Sequence, residues 1–262
     1  NVYVTGVFQE TADFDPGPNE FLMTSSGNLD IFIVKLTSEG NFVWARKFDG
    51  VEYEESNGLG TDSNGNLYIS GYFYNPVDFN PGPEEFIMAP AGSGDGFVVK
   101  LGPDGGFQWA KKFGGAEFDL ATGMKVTPGG EVYISGNFTA TADFDPADAT
   151  TYNLTADADH SGVFLLHLKT NGDFTKAVRV AHVAAESYGL SVDVDNTGAA
   201  YITGYVGGAA VFPVTGGDVT MNVTQSYTSY VAKVNADGTL AWAKQLLSDD
   251  LSFAYGLAVN SM

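Results

Sequence analysis

Paired oxygen-bearing side chains recur in three similar segments and could bind a hard cation. Each segment contains an Asp, a Phe, a second Asp or an Asn, and then a Pro; the pairs are Asp13 and Asp15, Asp78 and Asn80, and Asp143 and Asp145. In an extended segment, residues two positions apart share a side, so both members of a pair point the same way. Ca²⁺ prefers several oxygen ligands, which such a pair and nearby carbonyl groups could supply. The sequence therefore offers three candidate calcium sites.

The same segments also fit a purely structural role. Asp and Asn accept backbone N–H groups in turns, and a following Pro-Gly sets the turn geometry. A fourth copy, Ala210-Val211-Phe212-Pro213, keeps the Phe and lacks both acids, which favours the structural interpretation. The sequence leaves both interpretations open.

A second group of acidic residues precedes the first predicted strand of the repeats described below. Its candidate ligand-binding members are Glu52, Glu55, Glu117, Asp119, Glu186 and Asp250. If that strand lines a central channel, these carboxylates surround the channel mouth, where a cationic or polyhydroxylated ligand could bind. Crowded carboxylates would raise one another's pKa there. The alternative is a solvated acidic rim that keeps the protein soluble.

Sequence signals of nucleophilic or metal-dependent catalysis are weak. The chain has no cysteine and no Gly-x-Ser-x-Gly or phosphate-binding glycine motif. Its histidines are His160, His167 and His182, which lack the four-residue spacing of a zinc-binding helix. The sequence therefore favours a protein without catalytic activity.

A Lys and a Trp recur once in most repeats. The lysines are Lys35, Lys100 and Lys233, with His167 in the third copy, and the tryptophans are Trp44, Trp109 and Trp242. A catalytic amine is not expected in every repeat, so the lysines are predicted to form ion pairs between neighbouring repeats. The tryptophans could stack on a sugar, but their regular position favours core packing.

The charge and hydrophobicity of the chain exclude several classes of partner. Among its 262 residues, 12 Lys and Arg oppose 32 Asp and Glu, giving a net charge of −20. Such a surface repels nucleic-acid phosphates and anionic lipid headgroups. A hydrophobic content of 44% is enough for a packed core, and no apolar run is long enough to span a bilayer. We therefore expect a folded domain that neither binds nucleic acid nor inserts into a membrane.

Internal repetition determines the expected fold. A Tyr-x-x-Gly box begins at Tyr3, Tyr68, Tyr133 and Tyr201, at intervals of 65, 65 and 68 residues. Each repeat contains four short β-runs, A to D, rich in Val, Ile, Tyr and Phe and separated by turn residues. In the second repeat they are predicted at Leu59–Asp62, Leu67–Phe73, Phe97–Leu101 and Phe107–Phe113.

Tandem four-stranded units predict an all-β protein, a β-propeller with antiparallel blades; a sandwich is the weaker alternative. The predicted units are 1–50 (runs B to D), 51–115, 116–180, 181–247 and a final run A within 248–262. The A–B and C–D links are tight turns, whereas the B–C and D–A links are long. In an up-and-down meander, all long links fall on one face, where function usually resides.

Three recurring motifs resemble the bacterial seven-bladed β-propeller repeat family, known as SBBP repeats. They are Asn-x-Tyr-x-x-Gly, Asp-x-Phe-x-x-Lys-Leu and Gly-x-x-x-Trp-Ala, and they cover essentially the whole chain. The resemblance implies a propeller in a large secreted or cell-surface protein and implies no reaction. Only four repeats are present, so we expect a segment of a longer propeller rather than a closed four-bladed ring.

These observations favour a non-catalytic extracellular binding or adhesion module, or scaffold, within a larger bacterial surface protein. Its expected partners are a protein or polysaccharide on the long-loop face, and other domains or repeats of the same protein. One alternative is a glycosidase or lyase with Glu55, Glu117 or Asp119 as acid and base. Another is a structural spacer or filament unit.

Overall fold

β-Strands form all the regular structure of the described chain. The computed structural model describes residues 1–147, 149–157, 160–183, 185–223, 227–246 and 251–260. Over these ranges the strands form antiparallel ladders. The same residues contain no helix, and hence none long and apolar enough to cross a bilayer. The prediction of an all-β protein with antiparallel sheets is confirmed.

The strands follow one another through the whole described chain. In order they are β1 (Val2–Phe8), β2 (Thr11–Asp13), β3 (Leu22–Thr24), β4 (Asp30–Leu36), β5 (Phe42–Gly50), β6 (Glu54–Thr61), β7 (Leu67–Phe73), β8 (Val77–Asp78), β9 (Ile87–Met88), β10 (Asp95–Leu101), β11 (Phe107–Gly115), β12 (Asp119–Val126), β13 (Val132–Thr139), β14 (Thr141–Asp143), β15 (Asn153–Thr155), β16 (Ser161–Leu168), β17 (Phe174–Val183), β18 (Ser187–Val194), β19 (Ala200–Val206), β20 (Ala209–Phe212), β21 (Val219–Asn222), β22 (Thr228–Val234) and β23 (Leu240–Leu246).

Each repeat contributes one main sheet. Sheet 1 contains β1, β4 and β5; sheet 2 contains β6, β7, β10 and β11; sheet 3 contains β12, β13, β16 and β17; sheet 4 contains β18, β19, β22 and β23. Within each sheet the strands lie in the order predicted for runs A to D, and sheet 1 contains runs B to D. Run A is longer than predicted, because its ladder with run B extends through polar residues such as Glu54 and Glu55.

The B–C insert of every repeat contains an additional two-stranded hairpin that the sequence pattern did not predict. These insert hairpins are β2–β3, β8–β9, β14–β15 and β20–β21. The last three pair with the end of run D in the preceding sheet, through β5, β11 and β17. Each of these hairpins therefore connects two consecutive repeats by backbone hydrogen bonds.

The core lies between consecutive sheets. Runs B and C of the inner sheets are buried along almost their whole length, as in β10 and β13. Three clusters of buried side chains in the described residues each span two neighbouring sheets: 1 with 2, 2 with 3, and 3 with 4. The innermost strands β6, β12 and β18 also pack against one another in sequence. Every sheet thus depends on its neighbours for a buried face.

The Gly of the Tyr-x-x-Gly box is required by close approach of run A. A Cβ on Gly71 would lie 1.8 Å from the carbonyl oxygen of Glu55, and equivalent clashes occur at Gly136 and Gly204. The strand bulges between Ser56 and Gly58 beside this contact. A side chain at the box glycine would therefore push run A away from the sheet.

Residues 251–260 lie beside β18, where the innermost strand of a further repeat would pack. The N–H of Leu257 donates to Ser191 Oγ at 3.4 Å, and the N–H of Val259 donates to Asp193 Oδ2 at 2.7 Å. In the part of the chain that the structure describes, this segment forms no ladder with β1. The four sheets therefore do not close into a ring here.

Replacing Phe144 with Ala tests the contact between consecutive sheets. Phe144 is fully buried and packs against Phe113 of sheet 2 and Phe164 of sheet 3. We expect a loss of about 3–5 kcal/mol in the free energy of unfolding, measured by urea denaturation. The matched Phe14→Ala variant should lose less, since Phe14 is partly exposed and its aromatic contacts lie within its own repeat. Equal losses would contradict this account.

Candidate functional site

The predicted calcium-binding residues lie where the first strand of three insert hairpins ends and the turn begins, and they hold that turn together. Oδ1 of Asp13 accepts the N–H groups of Asp15 and Phe21 at 3.0 and 2.8 Å, and Oδ1 of Asp15 accepts that of Gly17 at 2.8 Å. These backbone donors, Phe21 first, lower the pKa of Asp13. The same bonds recur at Asp78 with Asn80 and at Asp143 with Asp145.

Two of these pairs also line small cavities between repeats. Asp78 and Asn80 line one of about 290 Å³, and Asp143 and Asp145 line one of about 250 Å³. Each cavity is also lined by a lysine that pairs with a nearby Asp: Lys47 with Asp49, and Lys112 with Asp95. Across the described ranges, no three His, Asp or Glu side chains converge as a metal site would require.

Calcium binding by these loops stays a prediction, and thermal unfolding tests it. Because one oxygen of each first Asp already holds two N–H groups, we expect the same midpoint in EDTA and in millimolar Ca²⁺. The control replaces Asp13, Asp78 and Asp143 with Asn, which keeps the Oδ1 acceptor and removes the charge. A calcium-dependent rise in the midpoint that this variant abolishes would establish metal binding instead.

The predicted acidic set separates into exposed and buried members. Glu52, Glu55, Glu117 and Glu186 are exposed, whereas Asp119 is fully buried. Asp250 lies outside the described residues. The exposed acids therefore remain available to a ligand, and Asp119 does not present its carboxyl group to solvent.

Asp119 belongs to a buried carboxyl pair between sheets 2 and 3. Its oxygens accept the N–H groups of Gly115 at 2.6 Å and Thr139 at 3.3 Å. Asp95 is also fully buried and has one oxygen without a hydrogen-bond partner. A Cβ on Gly114 would lie 2.7 Å from Asp95 Oδ1 and 3.0 Å from Asp119 Oδ2, so the two carboxyl groups face the same point. Burial raises the pKa of Asp119 to about 7, despite these two N–H donors.

Asp30 and Glu54 form the equivalent pair between sheets 1 and 2. Both are fully buried, and neither oxygen of Glu54 has a hydrogen-bond partner. Burial, and then the negative charges of Asp30 and Asp49, raise the pKa of Glu54 to about 8. Between sheets 3 and 4 the corresponding side chains are Ser161 and Ser187, whose hydroxyl oxygens lie 3.3 Å apart. Among the junctions between the described sheets, the first two therefore contain a buried acid pair.

These two pairs predict that stability falls as the pH rises. Glu54 and Asp119 keep their protons in the folded chain above their ordinary pKa values of 4.5 and 3.8, whereas the unfolded chain releases them. The stabilisation that these protons provide is therefore complete below the pKa values of the unfolded chain. It is lost as the pH rises toward the folded-state pKa values of about 7 and about 8. One pKa unit corresponds to about 1.4 kcal/mol, so the combined loss is several kcal/mol.

The Glu54→Gln, Asp119→Asn double variant should flatten that dependence, because an amide stays neutral. Urea denaturation between about pH 5 and about pH 9 measures the slope. Exposed Glu84→Gln is the matched control, because Glu84 belongs to neither pair, and it should keep the slope of the unmodified chain. An unchanged slope in the double variant would show that other groups cause the pH dependence.

The recurring Lys and Trp side chains hold the next repeat by its C–D turn. Lys35 Nζ and Trp44 Nε1 both donate to the carbonyl oxygen of Pro103, at 2.6 and 3.4 Å. The next repeat has the same pair of bonds, from Lys100 and Trp109 to the carbonyl of Thr170. The contact between repeats is therefore a hydrogen bond to a backbone carbonyl. Two of these lysines also form ion pairs, Lys100 with Asp62 at 3.9 Å and Lys233 with Asp195 at 3.8 Å, but within one repeat and not between repeats as predicted. Trp44 is buried, so it packs in the core and cannot stack on a sugar.

His167 replaces the recurring Lys in the third repeat. It is buried and stacks on Tyr133 with ring centroids 4.0 Å apart. Burial, with a smaller contribution from Lys176, lowers its pKa to about 4. His167 is therefore neutral at physiological pH and packs as a flat ring.

A cavity of about 660 Å³ opens among sheets 2, 3 and 4, where the D–A and B–C links meet. Its walls include the aromatic rings of Tyr74, Phe118 and Tyr188, together with Asn137 and Glu186. Of the predicted acidic set, Glu186 reaches this cavity. Because the walls combine ring faces, a buried amide and a carboxylate, the cavity is our candidate ligand site.

Sequence reasoning missed the aromatic side chains and Asn137. Tyr72 and Tyr74 extend the aromatic surface on one side, and Tyr188 and Tyr205 extend it on the other, with centroids 5.5 and 4.9 Å apart. The signal was present in the repeats: one residue after the box glycine, Asn137 stands where Tyr72 and Tyr205 stand in the neighbouring copies.

Comparisons with known proteins show distant relatives. No family model matches the chain. It is 28% identical over 153 residues, or 53% of its length, to an uncharacterized WD repeat-containing protein of Acanthamoeba polyphaga mimivirus. It is 24% identical over 214 residues, or 74% of its length, to regulatory protein FlaEY of Caulobacter vibrioides. The matches span only 11% and 22% of these relatives.

A solved structure, that of a protein of unknown function from Bacteroides caccae, aligns over 93% of both chains. Its sequence identity is 9% and its TM-score is 0.26, too low to indicate a common fold.

Proposed function

We propose that the chain is a segment of a β-propeller and acts as a non-catalytic binding or adhesion module. The sheets support a propeller-like arrangement because they are consecutive, antiparallel and packed face to face through shared cores. The mimivirus relative has WD repeats by name, and WD repeats typically form propeller blades. In the described residues the four sheets do not close into a ring.

The observation that carries the functional proposal is the contrast between the repeated scaffold and the cavity lined by Asn137 and Glu186. Residues that recur in most repeats hold neighbouring sheets together, as Lys35 and Trp44 do. The cavity bounded by Asn137 and Glu186 occurs where the repeat is broken, on the face of the long links. A rigid scaffold with one such site suits ligand binding. The segment belongs to a larger bacterial surface protein, and its partner is a protein or a polysaccharide.

A glycosidase or lyase is less well supported. That reaction needs a positioned pair of carboxyl groups that can reach the substrate. Asp119, one of the candidate acids, is buried between sheets and bonded to Gly115 and Thr139. Glu55 and Glu117 are exposed, but neither lines the 660 Å³ cavity.

Binding and hydrolysis can be separated in one assay. We expect the chain to bind at least one of an immobilised basic protein, a neutral polysaccharide and an anionic polysaccharide, as measured by biolayer interferometry. We also expect no new reducing ends or unsaturated products when the polysaccharides are incubated with the chain. Release of products would overturn the non-catalytic role, and failure to bind any of these polymers would overturn the adhesion role.

The extracellular location needs its own measurement. An antibody against the chain should label intact cells of the source organism. Labelling that requires prior permeabilisation of the cells would contradict a surface location.

A further inference from the structure

The candidate cavity lies beside a side chain that is smaller than its counterparts in the two adjacent repeats. Tyr72, Asn137 and Tyr205 occupy the same position of run B, opposite Gly96, Val163 and Ser229 of run C. The neighbouring repeats place a Tyr ring at this position. Asn137 is smaller by one aromatic ring, so space is left on this side of sheet 3.

Aromatic faces surround that space. Tyr74 and Phe118 pack edge to face, with centroids 5.8 Å apart and ring planes at 81°. Tyr188 contributes another wall of the cavity. The face of an aromatic ring is electron-rich and attracts a cation, most strongly when water is excluded.

A carboxylate in the cavity wall can accept hydrogen bonds from an incoming donor. Glu186 is exposed and lines the cavity, and Tyr227 Oη donates to its Oε2 at 3.2 Å. Asn137 also lines the cavity, but its Oδ1 is buried away from the open space. Glu186 thus presents an acceptor to an incoming group that carries N–H donors.

The electrostatic field around the cavity also favours a cation. The net charge of the chain is −20, and the ionisable side chains of the described cavity lining, apart from Tyr, are Glu186 and His160, with no Lys or Arg. Burial raises the pKa of the Tyr74 hydroxyl group, and the nearby negative charge of Glu55 raises it further. Elsewhere in the described chain, lysines already lie over the rings of Tyr3, Tyr68 and Tyr201.

We propose that this cavity binds a primary ammonium group, with Tyr74, Phe118 and Tyr188 around the cation and Glu186 accepting its hydrogen bond. The inference rests on the proposed function as a binding module and names the chemistry of its ligand. A primary ammonium has three N–H donors, whereas a quaternary ammonium has none and could not donate to the Glu186 carboxylate. The source is either a lysine side chain of a protein or a free alkylamine.

Nuclear magnetic resonance titration of the 262-residue chain with small probes tests the proposal. The reference probe is Nα-acetyl-lysine N-methylamide. Its Nε-acetylated form removes the charge, and its Nε-trimethylated form keeps the charge but removes the donors. Acetylation removes the cation–π contact, and trimethylation removes the hydrogen bond to Glu186, so each change should weaken binding by about tenfold or more.

The Asn137→Tyr variant closes the cavity with a side chain that both neighbouring repeats already have at this position. We expect it to fold, as circular dichroism would show, and to bind the lysine probe at least about tenfold more weakly. Glu186→Gln is a second variant that removes the charge without filling the space, and it should also weaken binding. Exposed Glu39→Gln, at a distant C–D turn, is the matched control for lost charge and should bind normally.

The outcomes distinguish a protein lysine from a free alkylamine as the ligand, and they distinguish failure of the ammonium site from failure of the binding role. n-Butylammonium binding as tightly as the lysine probe supports recognition of the ammonium alone, whereas tighter binding of the lysine probe supports a protein lysine. Equal affinity for the trimethylated probe, or normal binding by both Asn137→Tyr and Glu186→Gln, would overturn the ammonium site. If the lysine probe fails while the chain binds a polymer in the preceding assay, the ammonium inference is wrong and the binding role stands.

Discussion

Burial between consecutive sheets is the constraint on which the rest of the structure depends. A single four-stranded sheet of this composition has two apolar faces, and β10 and β13 are buried along nearly all their length. Such a sheet is stable only when both faces are covered by neighbours. The insert hairpins, the Lys and Trp bonds to the next C–D turn, and the buried Phe residues all act across this same contact.

The contact also explains why acidic residues behave differently along one short segment. Glu54 and Glu55 are adjacent in β6, yet Glu54 is sealed between sheets and Glu55 is exposed. Burial without a full set of hydrogen bonds disfavours the charged form of Glu54. The third junction, with Ser161 and Ser187, shows that the sheets can pack without these acids. The carboxyl pairs at the first two junctions therefore impose a stability cost that grows with pH.

Side chains that recur in the repeats and side chains that differ between repeats have separate roles in this molecule. Side chains that repeat in register, such as Phe79 and Phe144, fill the core between sheets. The cavity next to Asn137 interrupts the pattern on the face of the long links, where the chain varies without disturbing the core. A binding site can arise in such a scaffold by replacement of one large side chain with a smaller polar one. Tyr72 and Tyr205 show what the unbroken pattern looks like on either side.

The sequence by itself determined the all-β class, the four repeats and the positions of most main strands. Hydrophobic periodicity and turn residues are local signals, so Leu67–Phe73 was predicted with the bounds that the structure gives to β7. The exposed position of Glu52, Glu55, Glu117 and Glu186 also followed from their place in long links. Both interpretations of the Asp-Phe-Asp/Asn-Pro segments were visible from residue types alone.

Only the tertiary structure decided which polar groups are buried and where the cavity lies. Three of the insert hairpins pair with a strand of the preceding repeat, so no local pattern could reveal that pairing. Asp119 is the first residue of one run A and Glu186 immediately precedes the next, but the neighbouring sheet seals the first and leaves the second beside open space. Burial depends on which surfaces meet after folding, and residues as far apart in sequence as Tyr74, Asn137 and Tyr188 come together only through packing between repeats.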